Sequence, residues 1–248
     1  MSCWDVTRII AAFPARHGLT ALPAASDSAQ HLPDWNAIST VCLDMDGTVL
    51  DLHFDNLFWL DALPRRWGEK HGVPAELAIP QLHARFDAKR GTLDWYCIDH
   101  WSEELDFDIA ALKAEMREHI RYLPGAIEFL DAVRALGKRL LLTTNAHPIS
   151  LGVKNRVTGL ERHFDELVSS HEFGIPKEQA EFWARLGQSH AVVPAETLFV
   201  DDSAAVLEAA RTAGVGQVYQ VLVPDSTQAP RAALPGFVAI RGLGELVR

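Results

Sequence analysis

Cysteine is scarce in this 248-residue chain: Cys3, Cys42 and Cys97 are too few, and odd in number, for a disulfide framework. They fit a reducing compartment, and Cys42, inside an apolar run, reads as strand core. No apolar run approaches the roughly 20 residues needed to span a bilayer. The N-terminus lacks the basic-then-apolar pattern of a secretory signal, so a cytoplasmic protein with no membrane partner is expected. Basic charge is in deficit as well. Lys and Arg number 23 against 33 Asp and Glu, a net charge of -10, which argues against nucleic acid or an anionic membrane surface as partner. An anionic substrate would need a metal and a few placed cations to overcome that background locally. Internal repeats and low-complexity tracts are missing too. What remains is ordinary globular composition, 48% hydrophobic and 23% charged, long enough for one large domain or two modest ones.

The most informative stretch is Val41-Cys42-Leu43-Asp44-Met45-Asp46-Gly47-Thr48-Val49-Leu50. An apolar run bounded by Gly reads as a buried strand, and ligands of open α/β sheets bind just beyond strand ends, where Asp44 and Asp46 fall. Carboxylates that close repel unless a cation or a proton lies between them. The plainer alternative is an Asp-Gly turn after a core strand.

Around this stretch the chain divides into three parts. Residues 1–34, rich in Ala, Ser and Pro, read as a loosely docked N-terminal arm. Residues 55–122 carry helical patterns only. Leu57, Leu60 and Leu63 share one stripe, Leu105, Ile109 and Leu112 another, and Asp94 is the expected N-cap of a helix through Trp95, Ile98 and Trp101. Residues 35–54 and 123–248 alternate strand and helix, with strands expected at 40–43, 138–144, 167–170, 197–200 and 217–221. Such repetition implies parallel strands with right-handed crossovers, hence an α/β, Rossmann-like three-layer sheet with a helical insertion after strand one.

Four chemistry-bearing stretches fall at strand ends: Asp44 and Asp46; Thr143, Thr144 and Asn145; Lys177; and Asp201 and Asp202. One acidic pair is weak evidence, but two pairs with a hydroxyl and a lysine, each at its own strand end, can converge on one crevice. Four carboxylates without a neighbouring Cys or His cluster select a hard cation, Mg²⁺ foremost. A carboxylate can attack phosphorus, a lysine and a hydroxyl can offset charge on the phosphoryl oxygens, and a second carboxylate can move protons. The residue types suit phosphoryl transfer.

Asp-Met-Asp-Gly-Thr, Thr144, Lys177 and Asp201-Asp202, in that order, resemble the four motifs of the haloacid dehalogenase-like (HAD) superfamily, over roughly residues 36–245. The resemblance implies an all-helical C1 cap at residues 55–122. It also implies Asp44 as nucleophile, Asp46 as general acid/base, Thr144 (or Thr143) and Asn145 as substrate-binding residues, and Lys177 between nucleophile and phosphate. Mg²⁺ would be held by Asp44, the Asp46 carbonyl and Asp202, with Asp201 direct or through water. Dehalogenases of this type lack the second Asp, so Asp46 points to a phosphatase or phosphomutase. Phe54-Asp55-Asn56, Trp95-Tyr96-Cys97, Asn145-Ala146-His147-Pro148 and Phe173-Gly174-Ile175-Pro176-Lys177-Glu178 further resemble the GMP/IMP 5′-nucleotidase branch. That likeness implies a purine nucleoside monophosphate as the small-molecule partner. Sugar phosphates and phosphoglycolate are the rival substrates. A non-catalytic binding protein on this fold would be expected to have lost one of Asp44, Asp46, Lys177 or Asp202.

Two groups of residues read as structural first. Trp59, Trp67, Trp95 and Trp101 are expected to pack between insertion helices rather than stack on a base. Asp51 and Asp55 are expected to act as hinge or turn residues.

Overall fold

The computed structural model describes residues 32–247, so the arm expected at 1–34 lies almost entirely outside the described residues. β1 (Thr40–Leu43) is buried along its whole length because it has strands on both sides. Val41 and Leu43 pack on one face of the sheet with Phe129, Leu130 and Val153. Cys42, between them in sequence, packs on the other face with Phe182, Leu186 and Val206. That alternation is the two-residue period of a strand covered on both sides. Each fully buried Leu or Phe contributes about 1.5–3 kcal/mol relative to exposure, so the two layers together fix β1 and the carboxylates that follow it.

β2 (Arg139–Thr144), β3 (Glu166–Ser169), β4 (Thr197–Asp201), β5 (Gln217–Val221) and β6 (Val238–Ile240) complete a six-stranded sheet in the order β3-β2-β1-β4-β5-β6. Every neighbouring pair is parallel. Register aligns Leu43 with Leu142 on one side and with Val200 on the other, so the residues that follow, Asp44, Thr143 and Asp201, lie at the same end of the sheet. The order reverses direction at β1, and the crevice beyond such a point is where α/β sheets bind ligands.

Between β1 and β2 the chain first forms helices: α1 (His53–Leu57), a π-helical turn over Phe58–Ala62, α2 (Leu63–His71), α3 (Ala75–Ala88), α4 (Leu93–Tyr96), α5 (Ile98–Leu105) and α6 (Ile109–Glu115). They enclose an apolar core of their own around Phe58, Leu82, Phe86, Ile98 and Trp101. Trp67 is buried in the same core, and Trp59 and Trp95 pack against it, so the tryptophans are packing residues as expected. Back in the sheet layers lie α7 (Ala126–Ala135), α8 (Pro148–Thr158), α9 (Ala180–His190) and α10 (Ala204–Thr212).

Two local expectations in the insertion need correcting. Asp94 is not an N-cap: it sits inside α4, 2.8 Å from Lys89 Nζ, and Thr92 occupies the cap position. The expected single helix breaks at Cys97, which is extended at ψ 111° and caps α5 by accepting from His100 N–H at 3.4 Å. The Leu57–Leu60–Leu63 stripe also fails. The π turn shifts the helical phase, leaving Leu60 45% exposed while Phe58 and Leu63 are fully buried.

Candidate active site

The β1–β4 pairing runs one residue past the strand, Asp44 N–H donating to the Val200 carbonyl at 3.0 Å. The chain then turns sharply, with Met45 C=O accepting from Val49 and Leu50. Gly47 makes the turn possible. Its φ is +88°, and a Cβ there would lie 2.8 Å from Asp202 Cγ and 2.9 Å from Pro224 Cβ. The glycine therefore lets the β1 and β4 loops touch.

Lys177 is buried at the centre of the cluster. Its Nζ donates to Asp44 Oδ1 at 2.5 Å, to Asp201 Oδ2 at 2.8 Å and to the Thr143 carbonyl at 3.0 Å. Burial alone would lower this lysine, but the charges of Asp201 and Asp44 outweigh it and hold Nζ protonated well above its ordinary range. Asn145 holds the backbone that presents it: its Oδ1 accepts from Lys177 N–H at 2.9 Å and its Nδ2 donates to Glu178 at 2.8 Å. Both ends of the Asn145 amide are thus engaged by the Lys177 segment. Glu178 in turn accepts from Tyr96 Oη of the insertion at 2.6 Å. Thr144 Oγ1 accepts from Ala146 N–H at 3.0 Å, which leaves its own proton free to donate. The neighbouring Thr143 hydroxyl is buried with no partner.

Carboxylate oxygens of Asp44, Asp201 and Asp202 lie within 4.8 Å of one another. Burial pushes the Asp44 carboxyl well up, against the opposing charge of Lys177. Burial, then the charge of Asp201, pushes Asp202 to about 6, although Arg231 Nη1 donates to it at 2.6 Å. Acids that resist ionisation beside one another, all with oxygen donors, fit a hard divalent cation better than bare water.

Sequence reasoning missed a second set of charges behind Asp46. Lys154 Nζ donates to Asp46 Oδ1 at 2.6 Å and to Asp55 Oδ2 at 2.5 Å, and Lys113 Nζ donates to Asp55 Oδ1 at 2.9 Å. Lys113 also lies over the rings of Phe54 and Phe58, 4.9 and 4.3 Å from their centroids. Burial raises Asp46 to about 6 against the pull of Lys154. Burial also works on Asp55, but Lys113 and Lys154 outweigh it and hold that carboxyl below the usual range. Asp55 is therefore more than a hinge residue, whereas Asp51 does serve the turn, accepting from His53 N–H, Ser226 and Arg121. A signal for the lysines was present. Lys154 follows Ser150 and Val153, and Lys113 follows Ile109 and Leu112, at the i, i+3, i+4 spacing of a buried helix face.

Comparison with known proteins agrees with this geometry. Residues 38–214 match the family model of haloacid dehalogenase-like hydrolases. The chain is 44% identical over 192 residues to the GMP/IMP nucleotidase YrfG of Escherichia coli K12, covering 77% of this chain and 86% of the relative. It is 25% identical over 198 residues to a phosphorylated carbohydrates phosphatase of Thermotoga maritima, covering 75% and 86%. Among solved structures, a HAD phosphatase from Thermococcus onnurineus superposes with a TM-score of 0.72 at 20% identity, covering 84% of this chain and 96% of that one. The strand-end carboxylates, the parallel sheet and the family match together make the chain a member of the haloacid dehalogenase-like hydrolases.

Proposed function

We propose that the protein is a Mg²⁺-dependent phosphomonoesterase that hydrolyses GMP or IMP to nucleoside and phosphate through a phosphoaspartate on Asp44. The observation that carries the reaction class is the contact between Lys177 Nζ and Asp44 Oδ1 at 2.5 Å, with Asp46 two residues on. In the first step a carboxylate oxygen of Asp44 forms a bond to phosphorus while the bond from phosphorus to the nucleoside 5′ oxygen breaks. Asp46 gives that oxygen its proton. In the second step Asp46 takes a proton from water, the water oxygen bonds to phosphorus, and the phosphorus–Asp44 bond breaks. A carboxyl near 6 can serve in both directions near neutral pH. Thr144 Oγ–H is the free donor for the phosphoryl oxygens, and the Lys177 ammonium, its three protons held by Asp44, Asp201 and the Thr143 carbonyl, offsets their charge.

The site's own charge supports the metal requirement. Asp44, Asp46, Asp55, Asp201 and Asp202 face four cations, Lys113, Lys154, Lys177 and Arg231. A phosphate ester brings further negative charge, which Mg²⁺ held by Asp44, Asp202, Asp201 and the Asp46 carbonyl would offset. Likeness to the E. coli nucleotidase supports the purine substrate; likeness to the carbohydrate phosphatase makes sugar phosphates the second reading.

A turnover screen over nucleoside monophosphates and sugar phosphates with Mg²⁺ should place GMP and IMP first. Indifference to both would defeat the substrate assignment. In Asp44→Asn, turnover should fall by at least about 10³-fold, the scale of losing a covalent nucleophile, with the melting temperature unchanged or raised. Retained hydrolysis would sink the nucleophile assignment.

A further inference from the structure

Beside the carboxylates, three other ligand-forming side chains meet from separate stretches. Cys97 lies between α4 and α5 of the insertion, His147 opens α8, and His171 lies in the 3₁₀ turn after β3. One donor atom of each, the Cys97 sulfur and a ring nitrogen of each histidine, lies within 4.8 Å of the other two. The histidine rings meet edge to face with centroids 4.9 Å apart. Ring packing explains that contact but not the state of His171 Nε2, which is buried and has no hydrogen-bond partner. No protein group uses that nitrogen, which leaves it open to a ligand.

We propose that Cys97, His147 and His171 form a second metal site, separate from the carboxylate site, that takes Zn²⁺ or a similar borderline transition ion and ties the helical insertion to the sheet. Sulfur and imidazole donors disfavour Mg²⁺ and Ca²⁺ and suit Zn²⁺. Burial and the neighbouring His147 push His171 down to about 4, and burial lowers His147 too, so both rings are neutral near pH 7 and free to ligate. Cys97 is the N-cap residue of the eight-residue α5. On binding, the thiol proton leaves to solvent and no electron is transferred. Tetrahedral donors lie about 3.3–3.8 Å apart, so the trio closes by up to about 1 Å. Asp99, whose carboxylate is 3.5 Å from His147 Nε2, or a water completes the four ligands. If His147 binds through Nε2, the long contact from Ile149 N–H to Nδ1, 3.3 Å, is given up.

The test does not depend on the substrate. The full chain, with its oxygen site filled by excess Mg²⁺, is titrated with Co²⁺. A thiolate-to-cobalt charge-transfer band should appear in the near ultraviolet, with tetrahedral d–d bands, and saturate at one ion per chain. Carboxylates cannot produce that band. Zn²⁺ should bleach it by displacement. Cys97→Ser should abolish it while keeping a native circular dichroism spectrum, and His171→Asn should weaken Co²⁺ binding by at least about tenfold. Absence of the band in the wild-type chain at saturating Co²⁺ would overturn the proposal. So would a band of full strength in Cys97→Ser, or unchanged affinity in His171→Asn.

Discussion

Lys177 serves two carboxylates at once, and its three acceptors fill all three of its protons. Asp202 and Asp46 are left partly uncompensated and titrate near 6, each about two pH units above an ordinary aspartate, with burial as the first cause. The sign of their effect on stability follows directly. Between about pH 4 and 6 the folded chain keeps protons that the unfolded chain has released, so these groups cost stability as pH rises through that window. Each proton contributes a slope of about 1.4 kcal/mol per pH unit. A divalent ion that replaces the proton should therefore stabilise the fold more at about pH 7.5 than at about pH 4.5. Calorimetric melts with and without Mg²⁺ at the two pH values would show it, and equal increments would contradict the metal assignment. Histidines drop out of that comparison, because the ion does not touch them at the carboxylate site. Gly47 gives a second prediction: Gly47→Ala combines an unfavourable φ with contact on Asp202, and should cost about 1–3 kcal/mol in urea denaturation and lower the affinity for Mg²⁺.

Among the elements, α8 has an unusual task. It carries Lys154 from the sheet layer to both Asp46 and Asp55, so one helix braces the carboxylate proposed to move protons and the start of the insertion. Lys154→Met leaves Asp46 without its cation and Asp55 with Lys113 alone, and should cost about 3–5 kcal/mol. Turnover should fall with it, and Lys154→Arg should restore part of both; kcat and urea midpoints read the two effects. β1, β2 and β4 were legible in the sequence because each is a short apolar run closed by a residue with chemistry, as in Leu43-Asp44 or Val200-Asp201. β5 lies at 217–221, as its pattern implies. The insertion was legible only as helical. A π turn at Phe58–Ala62 breaks the 3.6-residue period that sequence reading assumes, and Cys97 ends a helix with no Gly or Pro to announce it. The charge network was hidden for a different reason. Its partners are 108, 99 and 58 residues apart, and only the fold brings them together. Arg65, Arg66, Arg85 and Arg90 of the insertion pair at the surface with Asp61, Glu115, Glu104 and Asp87, as solvated charges commonly do.

At the scale of the described molecule, the insertion and the sheet each have their own apolar core. Trp101 is buried in the first of these, with its Nε1 donating to the Trp95 carbonyl at 3.0 Å. Trp101→Ala should cost about 3–5 kcal/mol there. Hydrogen exchange should quicken across α3 and α5 while β1, β2 and β4 stay protected; uniform loss of protection would show that the two cores melt as one. The central position of β1 has a further consequence for how the protein is made. During synthesis the strand bearing Asp44 leaves the ribosome first, and its neighbours begin only at Arg139 and Thr197. The nascent chain thus makes the whole insertion before either edge of the strand that precedes Asp44 can pair, while the helices after it can already collapse on Trp101. Asp201 and Asp202 can join Asp44 and Lys177 only late, when β4 pairs beside β1. A ribosome stalled before Thr197 would display a folded insertion and no working enzyme.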